Sequence, residues 1–326
     1  MSRLVTIFGG SGFVGRYITQ RMAKAGWRVR VAVRRPEEAG FLRTYGVVGQ
    51  VEPILCNIRD DASVAAALDG ADAAVNCVGI LLNAGPNKFD TVQAEGAERA
   101  ARLAAAEGIT NFVQISAIGA DPGSDSIYAR TKAKGEAGVL EHQPDAIILR
   151  PSVVFGAEDQ FFNRFASLSR LGPLLPVVGA DTRFQPVWVE DVARAAEKAL
   201  EGNAAPGVYE LGGPATMSFR ELMGLMLSVI RRRKLVVNIP FVMARIMGGT
   251  FDVLYAISGG LLKPQLTRDQ VRNLARDNVV AADAKSFADL AIQPTAMAAV
   301  LPDYLWRFRP GGQYEELKES ARNIKG

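Results

Sequence analysis

Histidine is almost missing from this chain: His142 is the single one among 326 residues. A zinc site or a Ser-His-Asp arrangement has little to be built from, and no metal is expected. His142 itself stands in a polar stretch, EHQPD, ahead of a strand. Cysteine is nearly as scarce. Cys56 and Cys77 each end an apolar run, which reads as two buried thiols in a reducing compartment rather than a disulfide. No stretch reaches the ~20 uninterrupted apolar residues of a membrane span; the most apolar region, Leu235 to Leu262, is broken by Pro240, Arg245 and Asp252. The opening MSRLVTIFGG passes straight into a strand, without the character of a signal or transit peptide. A bacterial or otherwise unprocessed origin is expected. A net charge of +4, with no interleaving of aromatic and basic residues, argues against nucleic acid as a partner.

What is present is a core-forming composition, 48 % apolar, arranged as repeated strand–helix units. Leu4 to Phe8, Arg28 to Val33, Val51 to Cys56, Ala73 to Cys77, Phe112 to Ser116 and Ala146 to Leu149 read as strands. Helical patterns separate most of them, among them the alanine-rich run from Thr91 to Glu107 closed by Gly108. Such alternation predicts an α/β fold, a Rossmann-type doubly wound parallel sheet with helices on both faces. Pro186 to Val189 and Val208 to Leu211 read as later strands, after which the chain is expected to be mostly helical. The expected nucleotide-binding domain is residues 1–160 and 186–212, with a smaller, mostly helical C-terminal lobe of 161–185 and 213–326.

The turn after the first strand, GGSGFVG, places Gly9, Gly12 and Gly15 at G-x-x-G-x-x-G spacing, with Ser11, Phe13 and Val14 between them. Glycines there permit a tight turn and let backbone N–H groups approach a pyrophosphate at a helix N-terminus. The second strand ends VAVRRP, with Arg34 and Arg35 where an NAD-selective site carries a carboxylate for the ribose 2′-hydroxyl. Guanidinium groups match a phosphate, so NADP(H) is favoured over NAD(H); the alternative is that the arginines are solvated strand ends. Further on, Tyr128 and Lys132 stand four apart in SIYARTKAKGE, hence on one helical face. The ammonium is expected to lower the phenol's pKa, and the pair can either move a proton or grip a nucleotide ribose.

GGSGFVG, Ser116, YARTK and RPSVVFG together resemble the short-chain dehydrogenase/reductase superfamily in its extended and atypical branches. The resemblance implies an active site of Ser116, Tyr128 and Lys132, with Asn57 and Ile58 flanking the adenine. It puts Cys77, Val78 and Gly79 along the cofactor, and Pro151 to Val153 near the nicotinamide. The segments RPSVVFGAEDQFFNRFASL, PVVGADTRFQPVWVEDVARA and LTRDQVRNLARDNVV are similar to the nucleotide-binding accessory subunits of respiratory complex I and their bacterial relatives. That implies a tightly held NADPH without demonstrated turnover, partners among the subunits of complex I or another membrane complex, and a peripheral place on the cytoplasmic side of a bacterial inner membrane or in the cytoplasm. One departure bears on activity: extended enzymes carry a relay asparagine three residues before a helical glycine, where this chain has Gln93 before Gly96. Tyr128 and Lys132 are accordingly read as holding the nicotinamide ribose. The rival is an NADPH-dependent reductase of a quinone-like or other carbonyl substrate, with Tyr128 as proton donor; a third reading is a sensor of nucleotide state.

In the second half, Glu190-Asp191 start a helix and read as dipole partners rather than an acid/base pair. The run Arg231 to Lys234 reads as the solvated end of a helix begun near Ser218, or as the basic edge of a membrane- or partner-docking surface reaching to Lys263.

Overall fold

The computed structural model describes residues 2–258, 261–262, 264 and 266–312; Lys263, at the end of the expected docking surface, and the stretch from 313 onward lie outside them. In chain order the strands are β1 (Leu4–Phe8), β2 (Arg28–Val33), β3 (Val51–Leu55), β4 (Ala73–Asn76), β5 (Asn111–Ile115), β6 (Ile147–Pro151) and β7 (Val154–Phe155). They continue with β8 (Leu174–Val178), β9 (Arg183–Phe184), β10 (Val187–Trp188), β11 (Gly207–Leu211), β12 (Met217–Ser218) and β13 (Leu235–Ile239). The helices are α1 (Phe13–Lys24), α2 (Asp61–Leu68), α3 (Glu95–Ala106), α4 (Ile127–His142), α5 (Phe162–Leu168), α6 (Val189–Leu200), α7 (Phe219–Val229), α8 (Phe241–Ile257), α9 (Arg268–Asn273) and α10 (Met297–Leu305).

The chain divides into two compact units. The first comprises 1–152, 189–212 and 280–293, and holds a seven-stranded sheet in the order β11-β6-β5-β4-β1-β2-β3. All of its pairings are parallel. Parallel strands need crossover helices, and these bury the sheet on both faces. That is why β1 reads LVTIF and is wholly buried. α1 packs against α6, while α2, α3 and α4 pack in a row. The strand order reverses beside β1, which neighbours both β2 and β4; ligands of open α/β sheets sit at such switch points.

The row of helices is close because its contact faces are small. Ala97, Ala100, Ala101 and Ala104 of α3 are buried against Phe112, Val139 and neighbours. Gly135 of α4 faces the turn that precedes α3: a Cβ there would lie 3.4 Å from Ala97 Cβ and far inside contact distance of the Gln93 carbonyl oxygen. That preceding turn, Asp90–Ala94, is π-helical, an insertion that frequently marks functional sites.

The second unit comprises 153–188, 213–279 and 294–326. Its core is aromatic, with Phe155, Phe162, Phe184 and Phe219 buried beside Met223 and Tyr304. Phe161 stacks on Phe219 at 5.4 Å between ring centroids. Tyr304 donates to the buried Asp159 at 2.6 Å, and Asp159 also accepts the backbone N–H groups of Gly156, Phe161 and Asn163. After Leu211 the described chain is mostly helical, as expected, with short strands among the helices. Leu235–Ile239 is a strand, paired in parallel register with Leu174–Val178. Its sequence, LVVNI, is β-branched and follows a helix that has already ended at Arg231, whose φ is +53°. A residue in the left-handed region stops a helix.

Gly135→Ala is expected to cost about 1–3 kcal/mol, the usual cost of overpacking a tight contact. Urea titration should show a lowered midpoint with an unchanged slope; an unchanged midpoint would mean the helices have room to separate.

Candidate functional site

A cavity opens at the C-terminal ends of β1 and β4, and nine residues anticipated from the sequence line it: Gly9, Ser11, Gly12, Arg34, Asn57, Ile58, Cys77, Val78 and Gly79. The turn that forms its floor is held by sterics. Gly9 has φ +73°, and a Cβ on Gly15 would lie 2.7 Å from Gly10 Cα and closer still to the Gly9 carbonyl oxygen. α1 therefore starts directly against the turn. Its N-cap is Gly12, without a side-chain cap and without an acidic residue in the first turn, so its first N–H groups are open to an anion. Phe13 and Val14 are half-buried at that helix start and do not line the cavity.

The two arginines separate. Arg34 lies at the cavity edge, exposed and with no partner among the described residues. Arg35 turns to Glu38, with which it forms an exposed ion pair at 2.9 Å. Arg99 donates to the Ile58 carbonyl at 3.2 Å and pairs with Asp61, which also receives Arg102. This clamp fixes the loop that carries Asn57 and Ile58.

Ser116, Tyr128 and Lys132 do not line that cavity, but Lys132 reaches its far wall. A Cβ built on Gly79 would be 3.6 Å from Lys132 Nζ and 3.8 Å from Gln93 Oε1. Lys132 Nζ donates to the Ile115 carbonyl at 3.3 Å. Gln93 Oε1 and Ser116 Oγ are both buried and without a hydrogen-bond partner, although Gln93 Nε2 donates to Thr131 Oγ1 at 3.3 Å. Unsatisfied buried acceptors and hydroxyls are uncommon because each costs about 1–3 kcal/mol. A polar ligand that donates and accepts here would remove that cost. Pro151 ends β6 in the first unit and Val153 falls in the second.

Electrostatics run against the expected activation of Tyr128. Burial pushes its phenol up to about 12, and Lys132 Nζ is 6.0 Å from the ring centroid. Desolvation wins over the cation because the ammonium is itself buried. Burial brings Lys132 down to about 8, against the opposing pull of Glu136 and Cys77. Burial raises the Cys77 thiol to about 12, so it is not a ready nucleophile.

Several positioning residues escaped the sequence reading. Asn76 Oδ1 accepts from Val78 N at 3.0 Å, Asn76 Nδ2 donates to Gln114 Oε1 at 2.9 Å, and Gln114 Nε2 donates to the Ile115 carbonyl at 2.9 Å. Two buried amides thus tie the cavity wall to the carbonyl that receives Lys132. Their signal was visible: each is a polar residue inside an otherwise apolar strand. Arg59, Ile80, Asn87 and Val92 also line the cavity. Among the described residues no cluster of His, Cys, Asp or Glu could hold a metal.

The model of the NAD dependent epimerase/dehydratase family matches residues 5–212. The chain belongs to that family. It is 34 % identical over 316 residues to the "NADH dehydrogenase [ubiquinone] 1 alpha subcomplex subunit 9, mitochondrial" of Arabidopsis thaliana, covering 95 % of this chain and 79 % of that protein. With the NADH-ubiquinone oxidoreductase 40 kDa subunit of Neurospora crassa the identity is 30 %, over 95 % of this chain and 80 % of the other. A ceramide reductase of Caulobacter vibrioides is 32 % identical over 58 % of each chain. The fold superposes on the NAD complex of dTDP-glucose 4,6-dehydratase from Bacillus anthracis with a TM-score of 0.68, 14 % identity and 98 % coverage of both chains. The family binds a nicotinamide dinucleotide, and this chain's glycine cradle, uncapped α1 terminus and unpaired Gln93 and Ser116 atoms fit one.

Lys132 supplies a pH test. Its folded pKa of about 8 lies below the ordinary 10.5, so between those values the unfolded chain holds a proton that the folded one has lost, and stability rises with pH. Nucleotide-free Lys132→Met should therefore exceed wild type in stability most below pH 8, with the gap narrowing toward pH 10.5. A pH-independent gap in denaturant titrations would contradict the buried ammonium.

Proposed function

We propose that the protein is an NADP(H)-holding accessory subunit or assembly factor of respiratory complex I, in which the nucleotide orders the fold rather than turning over. The observation that carries this is similarity along 95 % of the chain to complex I subunits; the Tyr128 phenol, which burial holds up, supports it. Bound dinucleotide supplies hydride chemistry if any occurs. The chain's own residues hold it: the α1 terminus takes the pyrophosphate, Arg34 an adenosine 2′-phosphate, and Lys132, Ser116 and Gln93 the polar groups of the nicotinamide half. Ligand at ~100 times its dissociation constant adds about 2.7 kcal/mol to stability without chemistry.

The alternative is an NADPH-dependent reductase, favoured by the intact Ser116, Tyr128 and Lys132 and by the likeness to ceramide reductase. It would use Tyr128 as the proton donor to a carbonyl. Substrate-dependent NADPH consumption abolished by Tyr128→Phe, with binding retained, would establish that reading and remove the first.

Docking of the protein at the membrane side of the complex is supported by α8. Among the described residues no helix is long and apolar enough to cross a membrane. Yet α8 is inverted: Ala244 and Gly248 face inward, the latter against the backbone of Thr267 and Arg268, while Ile246 is 66 % and Ile257 79 % exposed. Val242, Ile246, Val253 and Ile257 form one exposed stripe, flanked by Met243 and Leu254. Contiguous apolar surface of this kind marks interaction sites. The basic run contributes less than its charge suggests. Arg232 donates to the Phe308 carbonyl at 2.9 Å and Lys234 to the Gly172 carbonyl at 2.7 Å, so both serve the fold.

Two outcomes are expected. Arg34→Ala should weaken NADPH by roughly ten- to a hundredfold, since ~1.4 kcal/mol is tenfold, with NADH little changed and Arg35→Ala mild for both; calorimetric titration decides, and equal losses for both nucleotides would defeat the assignment. Ile246→Asp with Val253→Asp should abolish co-migration with complex I on native electrophoresis at any salt concentration, because burying each such side chain is worth about 1.5–3 kcal/mol and is not screened. Retained co-migration would take α8 out of the account, and association lost only at high salt would return it to the arginines.

A further inference from the structure

Residues 80–89 form a strap beside the nucleotide cavity. Ala84 and Asn87 pair as a short antiparallel bridge, each donating its N–H to the other's carbonyl at 2.9 Å. Asn83 Oδ1 accepts from Phe89 N at 2.7 Å, and the strap's Ile80 and Asn87 line the cavity. Its far end is anchored: Phe89 is buried and meets Tyr128 edge-on, with ring centroids 6.0 Å apart. Pro86 lies inside the turn that the Ala84–Asn87 bridge closes.

Arg59 stands beside that turn. Its backbone N–H donates to Asn57 Oδ1 at 3.2 Å, which sets its place after the clamped Asn57–Ile58 loop. Its Nη1 donates to the Pro86 carbonyl at 3.3 Å, a carbonyl that already accepts from Thr91 Oγ1 at 3.3 Å. The strap does not need Arg59 to satisfy Pro86. Meanwhile Arg59 Nε is buried and has no hydrogen-bond partner, and the residue lines the cavity that Arg34 also lines. A guanidinium offers five donors in a planar fork. One edge of this fork is on the strap, and a buried donor of the other edge is idle. Phosphate oxygens are the acceptors that a guanidinium edge matches, through short charge-assisted bonds stronger than a bond to a neutral carbonyl.

We propose that Arg59 is a specificity residue for the adenosine end of the dinucleotide. Its Nε edge takes the adenosine 2′-phosphate while Nη1 keeps hold of Pro86, so that NADP(H), and not NAD(H), pins the strap over the cavity. The inference rests on the NADP(H) reading above and adds a second cation to it. It also gives the nucleotide a consequence at a distance: the pinned strap ends at Phe89, against Tyr128.

The test combines calorimetric titration of NADPH and NADH with hydrogen exchange of the amides from 80 to 90. In wild type, saturating NADPH should protect those amides more than saturating NADH. Arg59→Gln should weaken NADPH about tenfold, leave NADH unchanged and erase the extra protection. Arg59→Lys should recover part of the affinity through its charge but not the protection, because a single ammonium cannot hold phosphate and carbonyl in one plane. Wild-type affinity and protection in Arg59→Gln would overturn the inference. If Arg34→Ala still lost NADPH selectively in that case, the NADP(H) reading would stand without Arg59. A wild type that bound the two nucleotides alike, with Arg34→Ala neutral, would end both.

Discussion

The contact between Gly15 and the Gly9 carbonyl governs the first unit. With no Cβ at Gly15, α1 begins against the turn that leaves β1, and its uncapped terminus faces the C-terminal edge of the sheet. Any larger residue would push the helix away and break the register between its N–H groups and the turn. The rest follows from that placement. β1 sits between β2 and β4, so Arg34 after β2 and Cys77 to Gly79 after β4 both line the cradle.

The second constraint is burial of polar atoms. Lys132, Gln93 and Ser116 are buried, and Gln93 Oε1 and Ser116 Oγ have no hydrogen-bond partner. In this environment desolvation outweighs the attraction between an ammonium and a phenol, so Tyr128 is raised rather than lowered. Buried polar atoms left without partners suit a polar ligand, and the proposal that this site binds without turnover rests on that.

Much of the first unit was legible because its signals are local. The β1 and β2 bounds read from hydrophobic periodicity match those observed, and the glycine spacing placed the cradle. Fold and family were legible for the same reason, along with the short motifs at Ser116, Tyr128 and Lys132. What was not legible is set by three-dimensional neighbours. Nothing in RRP says that Arg35 turns to Glu38 while Arg34 stays at the cavity. The π turn that buries Gln93 depends on Gly135 of another helix. Leu235–Ile239 was hidden because a short apolar run fits helix and strand alike, and its partner, Leu174–Val178, lies far away in sequence. The arginine run was legible as a helix end, since α7 stops just before it, but the carbonyls that occupy Arg232 and Lys234 are not visible in a sequence.

The central claim is that a nicotinamide dinucleotide is a standing part of this protein. It is tested most directly by denaturing protein isolated from its native host and identifying the nucleotide released. The account predicts close to one equivalent of NADP(H) per chain, and a marked loss of thermal stability once it is stripped. Protein isolated without nucleotide, whose unfolding temperature does not move when NADPH is added, would contradict it.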